Sequence, residues 1–362
     1  MSLASVATGR RSRKRTASWE WLRTFWLPPE RATPTMSKTS NKPLIAAMIG
    51  DPAGIGPEVC AKALASAELD GLCDNVLIGE IGAVQRAVQV CGITREVRHV
   101  SAPEEARGQR FIAVLDPGDV VPTDYAVGSP SAAAGKAVVN WIGLGQQLGQ
   151  IGRIDGLVLA PVDSVSLKLG GLVKDIDELQ PPDTHMLRLN GSLRVVPITE
   201  HIRVRDIAAT VKQATVLELI RRLDHHLRRW GMTAPRIAVA GLNPHAMFEE
   251  DREEIAPAVE QARAAGIDAS GPISPDAVFR LNLEGRYDAV VTMYHDQGQI
   301  AVKTAAFAGA CTIYMGLPYV MINVPHGSAF DIAGQGKAQH DSLLAGLRTA
   351  AALASGSAFL TT

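Results

Sequence analysis

From Leu44 onward the chain alternates short apolar runs, rich in β-branched residues, with longer amphipathic stretches, and this alternation restricts the fold more than any other feature. Strands are expected at 44–49, 75–79, 111–115, 156–160, 193–199, 236–242, 287–293 and 311–314. Helical periodicity marks 57–67, 81–91, 131–149, 214–230, 252–265 and 338–355. Strands spaced by helices predict parallel β-α-β units with right-handed crossovers, and so an α/β fold. The runs are short and apolar at most positions, as in strands covered on both faces. The stretches at 116–130, with Pro117, Pro122 and Pro130, and at 163–192 follow neither period and are expected to be hinges or cleft loops. No repeat is visible at solenoid periods.

A length of 362 residues with 46% apolar side chains allows a large core and suggests two domains. The formal net charge of −1, with 20% charged residues, gives no electrostatic case for nucleic acid. Cys60, Cys73, Cys91 and Cys311 form no Cys-x-x-Cys pair, which points to a reduced, cytoplasmic setting. No apolar run approaches the roughly 18–20 residues of a membrane span, so no membrane partner is expected. The first forty residues hold a basic cluster (Arg10, Arg11, Arg13, Lys14, Arg15) and Trp19, Trp21 and Trp26, with no apolar stretch of a secretory signal. Residues 1–40 are expected to be disordered or an over-long start, with synthesis beginning at Met36; the other reading is a basic anchor or transit peptide.

Three histidines each end a strand-like run: His201 after Val-Val-Pro-Ile-Thr-Glu, His245 after Ala-Gly-Leu-Asn-Pro, and His295 after Val-Val-Thr-Met-Tyr. In an α/β sheet, ligand sites form outside the carboxyl ends of the strands, where these side chains would sit. Three imidazoles converging there can hold a divalent metal with positions open to substrate. The alternative is one or two capping histidines and no metal. Gly50-Asp51-Pro52-Ala53-Gly54-Ile55-Gly56-Pro57-Glu58 follows the first strand and opens a helix, with Pro57 at a first helical position. Its glycine spacing is neither that of the dinucleotide fold nor that of a P-loop, and alone it marks only a tight turn.

The block 50–58, Leu242-Asn243-Pro244-His245-Ala246, Met293-Tyr294-His295-Asp296-Gln297-Gly298 with Lys303, and His326-Gly327-Ser328-Ala329-Phe330-Asp331-Ile332-Ala333-Gly334 resemble the 4-hydroxythreonine-4-phosphate dehydrogenase family. The segment from Leu193 to Asp206, containing His201, resembles its third histidine segment, and the likeness runs from 44 to about 355. It implies an isocitrate/isopropylmalate dehydrogenase-like α/β fold of two α/β/α domains with the active site in the cleft between them. Residues 41–128 with part of the C-terminal region would form the first domain and 129–325 the second, carrying the histidines. Residues 326–362 would hold the nucleotide-binding loop and a helix returning to the first domain. The resemblance further implies a homodimer, NAD or NADP, and one divalent ion, with zinc, cobalt, manganese and magnesium not distinguished. By carry-over, His201, His245 and His295 are the metal ligands, some reaching a partner's site. Lys303 and Asp296 are catalytic, and His326, Gly327, Ser328, Asp331 and Gly334 bind the nucleotide. Gly54, Asn243, Thr312 and Met321 line the substrate. A metal held by neutral imidazoles keeps its full charge and acidifies a substrate hydroxyl, which favours hydride departure to the nicotinamide.

Four departures from the family pattern bear on substrate. Its Gly-His-Thr-Glu loop is absent, the region reading Gly-Gly-Leu-Val-Lys-Asp-Ile-Asp-Glu-Leu-Gln-Pro-Pro-Asp over 170–183; Asp183-Thr184-His185 is read as entry into a strand. Asp163-Ser164 replaces Asn-Lys, and Met247-Phe248-Glu249-Glu250-Asp251 replaces a glycine-rich stretch. Thr312 and Met321 stand where the family has a substrate-contacting Asn and Arg. A buried phosphate without that arginine is poorly compensated. The sequence therefore favours oxidation of an unphosphorylated, anionic hydroxy acid or, as resemblance to a subgroup of the family with similar losses implies, of a carboxylated cis-dihydrodiol, with decarboxylation. The alternatives are 4-hydroxythreonine 4-phosphate, or 4-phosphorylated threonate or erythronate, as substrate, and a non-catalytic ligand-binding homologue. A phosphate acyltransferase shares the general fold but gives the three histidines no task.

Overall fold

The computed structural model of the protein describes residues 42–174, 176–305, 310–324 and 326–359; the expectation for residues 1–40 lies outside the described residues. The first part of the chain forms β1 (Leu44–Met48), α1 (Gly56–Ala65), β2 (Asp74–Ile78), α2 (Ile81–Val90), β3 (Val97–His99), β4 (Ile112–Leu115), α3 (Ala132–Gln150) and β5 (Gly156–Leu159). It continues through α4 (Ser164–Gly170), β6 (His185–Asn190), β7 (Leu193–Thr199), α5 (Ile207–Thr210), α6 (Gln213–Arg229), β8 (Ile237–Ala240) and α7 (Ala256–Ala264). Then follow β9 (Ala269–Ile273), α8 (Pro275–Leu283), β10 (Ala289–Tyr294), α9 (His295–Ala305), β11 (Cys311–Met315), β12 (Val320–Asn323) and α10 (Asp341–Ala354).

The strands form one twelve-stranded sheet in the order β3-β4-β2-β1-β5-β12-β11-β6-β7-β10-β8-β9. Pairing is parallel in both outer parts, as the strand-helix alternation predicts. At the centre, β12–β11, β11–β6 and β6–β7 are antiparallel, which the alternation does not predict. Two tight connections, Gly191-Ser192 and Gly316 to Tyr319, replace crossover helices here, and a turn of that length permits only antiparallel neighbours. Three reversals make β7, β10, β8 and β9 run opposite to β1–β5 and β12.

Burial explains why β1 is central: all five residues from Leu44 to Met48 are inaccessible, as is Trp141 of α3. The chain returns to this half through β12, and α10 packs on β5, β12, β1 and α1. A second, smaller core of Leu193, Val195, Ala238, Ala240, Val278, Val290 and Val302 lies beneath the strands that lead to the histidines. Among the described residues, no helix is long and apolar enough to cross a membrane.

Candidate active site

The topology puts the three histidines side by side. His201 follows β7, His295 follows β10 and His245 follows β8, and these strands are parallel neighbours with β10 in the middle. Their carboxyl ends are therefore spaced by about 4.8 Å per strand. The rings of His201 and His295 come together, with centroids 4.9 Å apart and planes at 55°. His245 is not brought into that pair, and among the described residues no three His, Cys, Asp or Glu side chains form a group that could hold a metal ion.

Side-chain bridges fix the strand ends. Thr199 Oγ1 donates to the Met293 carbonyl at 3.1 Å, tying β7 to β10 beside His201 and His295. Gln297 Oε1 accepts from Met293 N–H at 2.8 Å while its Nε2 donates to the Gly241 carbonyl at 2.9 Å, tying β10 to β8. His245 sits in a turn where it and Ala246 adopt φ of 56° and 53°. That left-handed conformation is uncommon for non-glycine residues, and strain of this kind gathers at functional sites. The turn folds back so tightly that a Cβ on Gly241 would lie 2.6 Å from Ala246 Cβ. Asp251, fully buried, organises it by accepting from Leu242 N–H at 2.7 Å and Phe248 N–H at 3.1 Å. The stretch 247–251 thus carries the carboxylate that shapes the His245 loop.

Each imidazole is engaged at Nδ1. His201 Nδ1–H donates to Asp177 at 2.9 Å and His295 Nδ1–H to Asp296 at 2.7 Å. His245 Nδ1 lies 3.4 Å from Ser274 Oγ, whose hydroxyl donates to Asp276 at 2.5 Å. A carboxylate is only an acceptor when ionised, so in the neutral tautomer that these contacts favour Nδ1 carries the proton and Nε2 the lone pair. Metal-ligating imidazoles typically donate their other ring nitrogen to a carboxylate, carbonyl or water. This donor set fits a divalent ion at Nε2 of His201 and His295, with His245 one strand away.

The remaining predicted residues fall in separate places. Lys303 is exposed on α9, eight residues after His295 and so about 12 Å further along the helix axis. The two glycine-rich blocks meet: Ile55 N–H donates to the Ser328 carbonyl at 2.9 Å, and Gly334 N–H to Glu58 at 2.5 Å. A Cβ on Gly54 would lie 2.7 Å from Ser328 Cβ, so the turn needs glycine there. Lys62 Nζ holds the chain just beyond this block through the carbonyls of Gly336 and Ala338 at 2.7 and 2.6 Å. Asp331 is exposed, Gly327 has open space around it, and burial pushes the His326 imidazole below its ordinary value. Asn243 spends its amide on Glu250 at 2.9 Å and Asp251 at 3.2 Å rather than presenting it to a ligand. Thr312 on β11 pairs with Arg188 and Asn323. Met321 on β12 is 1% exposed, with the Tyr319 hydroxyl 3.9 Å from its sulfur, so it packs in the core and offers no open wall to a substrate.

Sequence reasoning passed over Asp177, Asp251, Gln297 and the Arg188–Glu200 pair. Arg188 is buried on β6 and forks onto Glu200 at 3.0 and 2.6 Å, immediately before His201. No local pattern marks any of these residues, because each acts through a partner remote in sequence or in an irregular loop.

A largely parallel α/β sheet places ligand sites at the carboxyl ends of its strands, and relatives named as dehydrogenases acting on CH–OH groups put the chain in that enzyme class. The chain belongs to the family of the pyridoxal phosphate biosynthetic protein PdxA, whose model matches residues 71–350. It is 41% identical over 327 residues to a protein of Novosphingobium aromaticivorans provisionally named 4-hydroxythreonine-4-phosphate dehydrogenase, covering 90% of this chain and 99% of that one. A Clostridium botulinum protein provisionally named D-threonate 4-phosphate dehydrogenase is 33% identical, covering 86% and 97%. Among solved structures, a 4-hydroxythreonine-4-phosphate dehydrogenase from Burkholderia phymatum superposes with a TM-score of 0.77 at 34% identity, covering 87% and 99%. A terephthalate 1,2-cis-dihydrodiol dehydrogenase from Burkholderia xenovorans gives 0.66 at 27%, covering 88% and 99%.

Proposed function

We propose that the protein is a divalent-metal-dependent, NAD(P)-linked dehydrogenase that oxidises the secondary hydroxyl of a 4-phosphorylated hydroxy acid, 4-hydroxythreonine 4-phosphate or threonate 4-phosphate. The observation that carries this reading is the row of three strand-end imidazoles, each engaged at Nδ1. Relatives named for phosphorylated substrates are 41% and 33% identical to the chain, against 27% for the dihydrodiol dehydrogenase. This replaces the preference for an unphosphorylated substrate drawn from the sequence. That preference rested on the loss of the family's arginine at Met321, a side chain that is sealed in the core and lines no open site.

When bound, the ion supplies Lewis acidity at the substrate hydroxyl and the nicotinamide supplies the hydride acceptor. His201 and His295 would hold the ion through Nε2, with His245, one strand away, as the third candidate ligand. Asp296 keeps the Nδ1 proton of His295 in place and so keeps Nε2 available. Lys303 supplies positive charge about two helical turns from His295, a separation that a lysine and a phosphorylated four-carbon acid bridge together. The segment His326 to Gly334, held at Gly334 by Glu58 and followed by carbonyls that Lys62 grips, would receive the nucleotide. The same reading includes a homodimer in the cytoplasm. Exposed Ile202, Val204, Met247, Phe248 and Ile300 flank the three histidines and support a partner subunit there.

The test follows NAD(P)H formation with added divalent ion on 4-phosphorylated hydroxythreonine and threonate, beside carboxylated cis-dihydrodiols. Turnover of the phosphorylated acids is expected. Turnover confined to the dihydrodiols, with release of carbon dioxide, would overturn the substrate assignment.

A further inference from the structure

The segment 170–183 departs from the family's substrate loop, yet it places a carboxylate on one of the metal-ligand candidates. We infer that Asp177 is a positioning residue of the metal site: it accepts the Nδ1–H of His201 at 2.9 Å and thereby fixes the ring with Nε2 available to the ion. The inference rests on the metal-dependent reading above.

Three observations carry it beyond an ordinary surface contact. First, the turn presenting Asp177 is anchored on its C-terminal side. Gln146 of α3 donates to the Leu179 carbonyl at 2.9 Å, Gln180 bridges to Thr184 at 3.1 Å, and Leu179 is buried. Ordering Asp177 therefore costs less entropy on binding than ordering a free loop. Second, the residue before His201 is held as well: Glu200 accepts both arms of the Arg188 guanidinium, so the backbone carrying the ring is fixed independently of the metal. Third, the arrangement recurs. His295 donates to Asp296, and His245 reaches Asp276 through Ser274, so all three rings have a carboxylate behind Nδ1. Asp296 neighbours its histidine in sequence, whereas Asp177 comes from a loop 24 residues before His201 (201 − 177). That separation hides the pairing from any motif. The contact is half exposed on both partners, so its Coulomb energy alone contributes little to stability. Its effect lies in orientation and in the basicity of Nε2.

The experiment titrates zinc into the full-length metal-free protein against a chromogenic chelator. Asp177→Ala is expected to weaken zinc binding about ten- to a hundredfold, the range for lost outer-shell partners. Asp177→Glu should restore most of it, and Glu178→Gln, on the same turn, should leave it unchanged. The metal-free Asp177→Ala protein should unfold at the wild-type urea midpoint. Wild-type zinc affinity in Asp177→Ala would overturn the inference alone. An equal loss in Glu178→Gln would assign the effect to the loop as a whole and also overturn it. A wild-type protein that binds no zinc would remove the metal-dependent reading together with the inference.

Discussion

Gln297 donates its side-chain amide to the Gly241 carbonyl at 2.9 Å, joining the ends of the strands that carry His295 and His245. Its Oε1 meanwhile accepts from the Met293 amide, whose residue is fully buried. One side chain thus sets the spacing of two proposed metal ligands while satisfying a buried donor. Gln297→Ala leaves that donor unpaired, a loss of about 1–3 kcal/mol. Urea unfolding should show it, and zinc affinity should fall with it. An unchanged midpoint would mean that water replaces the amide without cost.

Gly241 faces the His245 turn, where a new Cβ would meet Ala246 Cβ at 2.6 Å and Ala246 Cα at 2.9 Å. Gly241→Ala is therefore expected to displace His245 and destabilise the chain by about 1–3 kcal/mol through overpacking. His245→Ala should instead abolish metal binding and activity with little effect on folding, since that side chain is exposed. Metal content measured on both variants separates displacement of the ligand from its removal.

The Arg188–Glu200 pair has side chains only 5% and 28% exposed. Removing one partner of a buried pair leaves an uncompensated charge, so Glu200→Ala should cost about 3–5 kcal/mol. Adding Arg188→Met should recover part of the loss, because an apolar replacement needs no partner. A double-mutant cycle by urea unfolding measures the coupling. Additive single effects would contradict the account.

His226 of α6 accepts the Gly316 N–H at Nε2, at 2.9 Å, which requires the neutral ring. Burial, with added repulsion from His225, Arg229 and Arg222, pushes its pKa down to about 4. Burial lowers His185 as well, with Arg222 adding to it. A base whose folded pKa lies below its unfolded value near 6.5 loses stability as pH falls, because the unfolded chain takes up the proton first. Stability should be full above pH 6.5 and decline towards pH 4, by about 3 kcal/mol for His226 alone. His226→Gln, which keeps an acceptor for Gly316, should flatten that decline in urea midpoints measured across the range.

The outer parallel strands and long helices were legible because a buried strand or an amphipathic helix repeats its signal over many residues. Leu44–Met48 and Ala132–Gln150 are clear cases. The expected entry of His185 into a strand is present at the start of β6. Shorter or mixed elements were not legible. α4 has seven residues and depends on its ends, with Asp163 accepting from Ser166 N–H at 2.7 Å and Gly171 at a φ of 73°. β9 carries a Gly-Pro pair inside the edge strand, which reads as a turn. β6 hides behind Arg188, a charged residue buried only because Glu200, twelve positions on, neutralises it. The same limit applies to the site. The histidines announced themselves by ending apolar runs. The carboxylates and amides that orient them come from loops and other strands, so their roles appear only once the chain is folded.

The most direct test of the central claim is the metal dependence of turnover on a 4-phosphorylated hydroxy acid. The full-length protein would be stripped by a chelator, dialysed, and assayed for NAD(P)H formation before and after return of zinc, cobalt, manganese or magnesium, with His295→Ala in parallel. The account predicts no turnover without the ion, recovery when it is returned, and none from His295→Ala in either state. Full turnover in the stripped wild-type protein would contradict a metal site built on the three strand-end histidines.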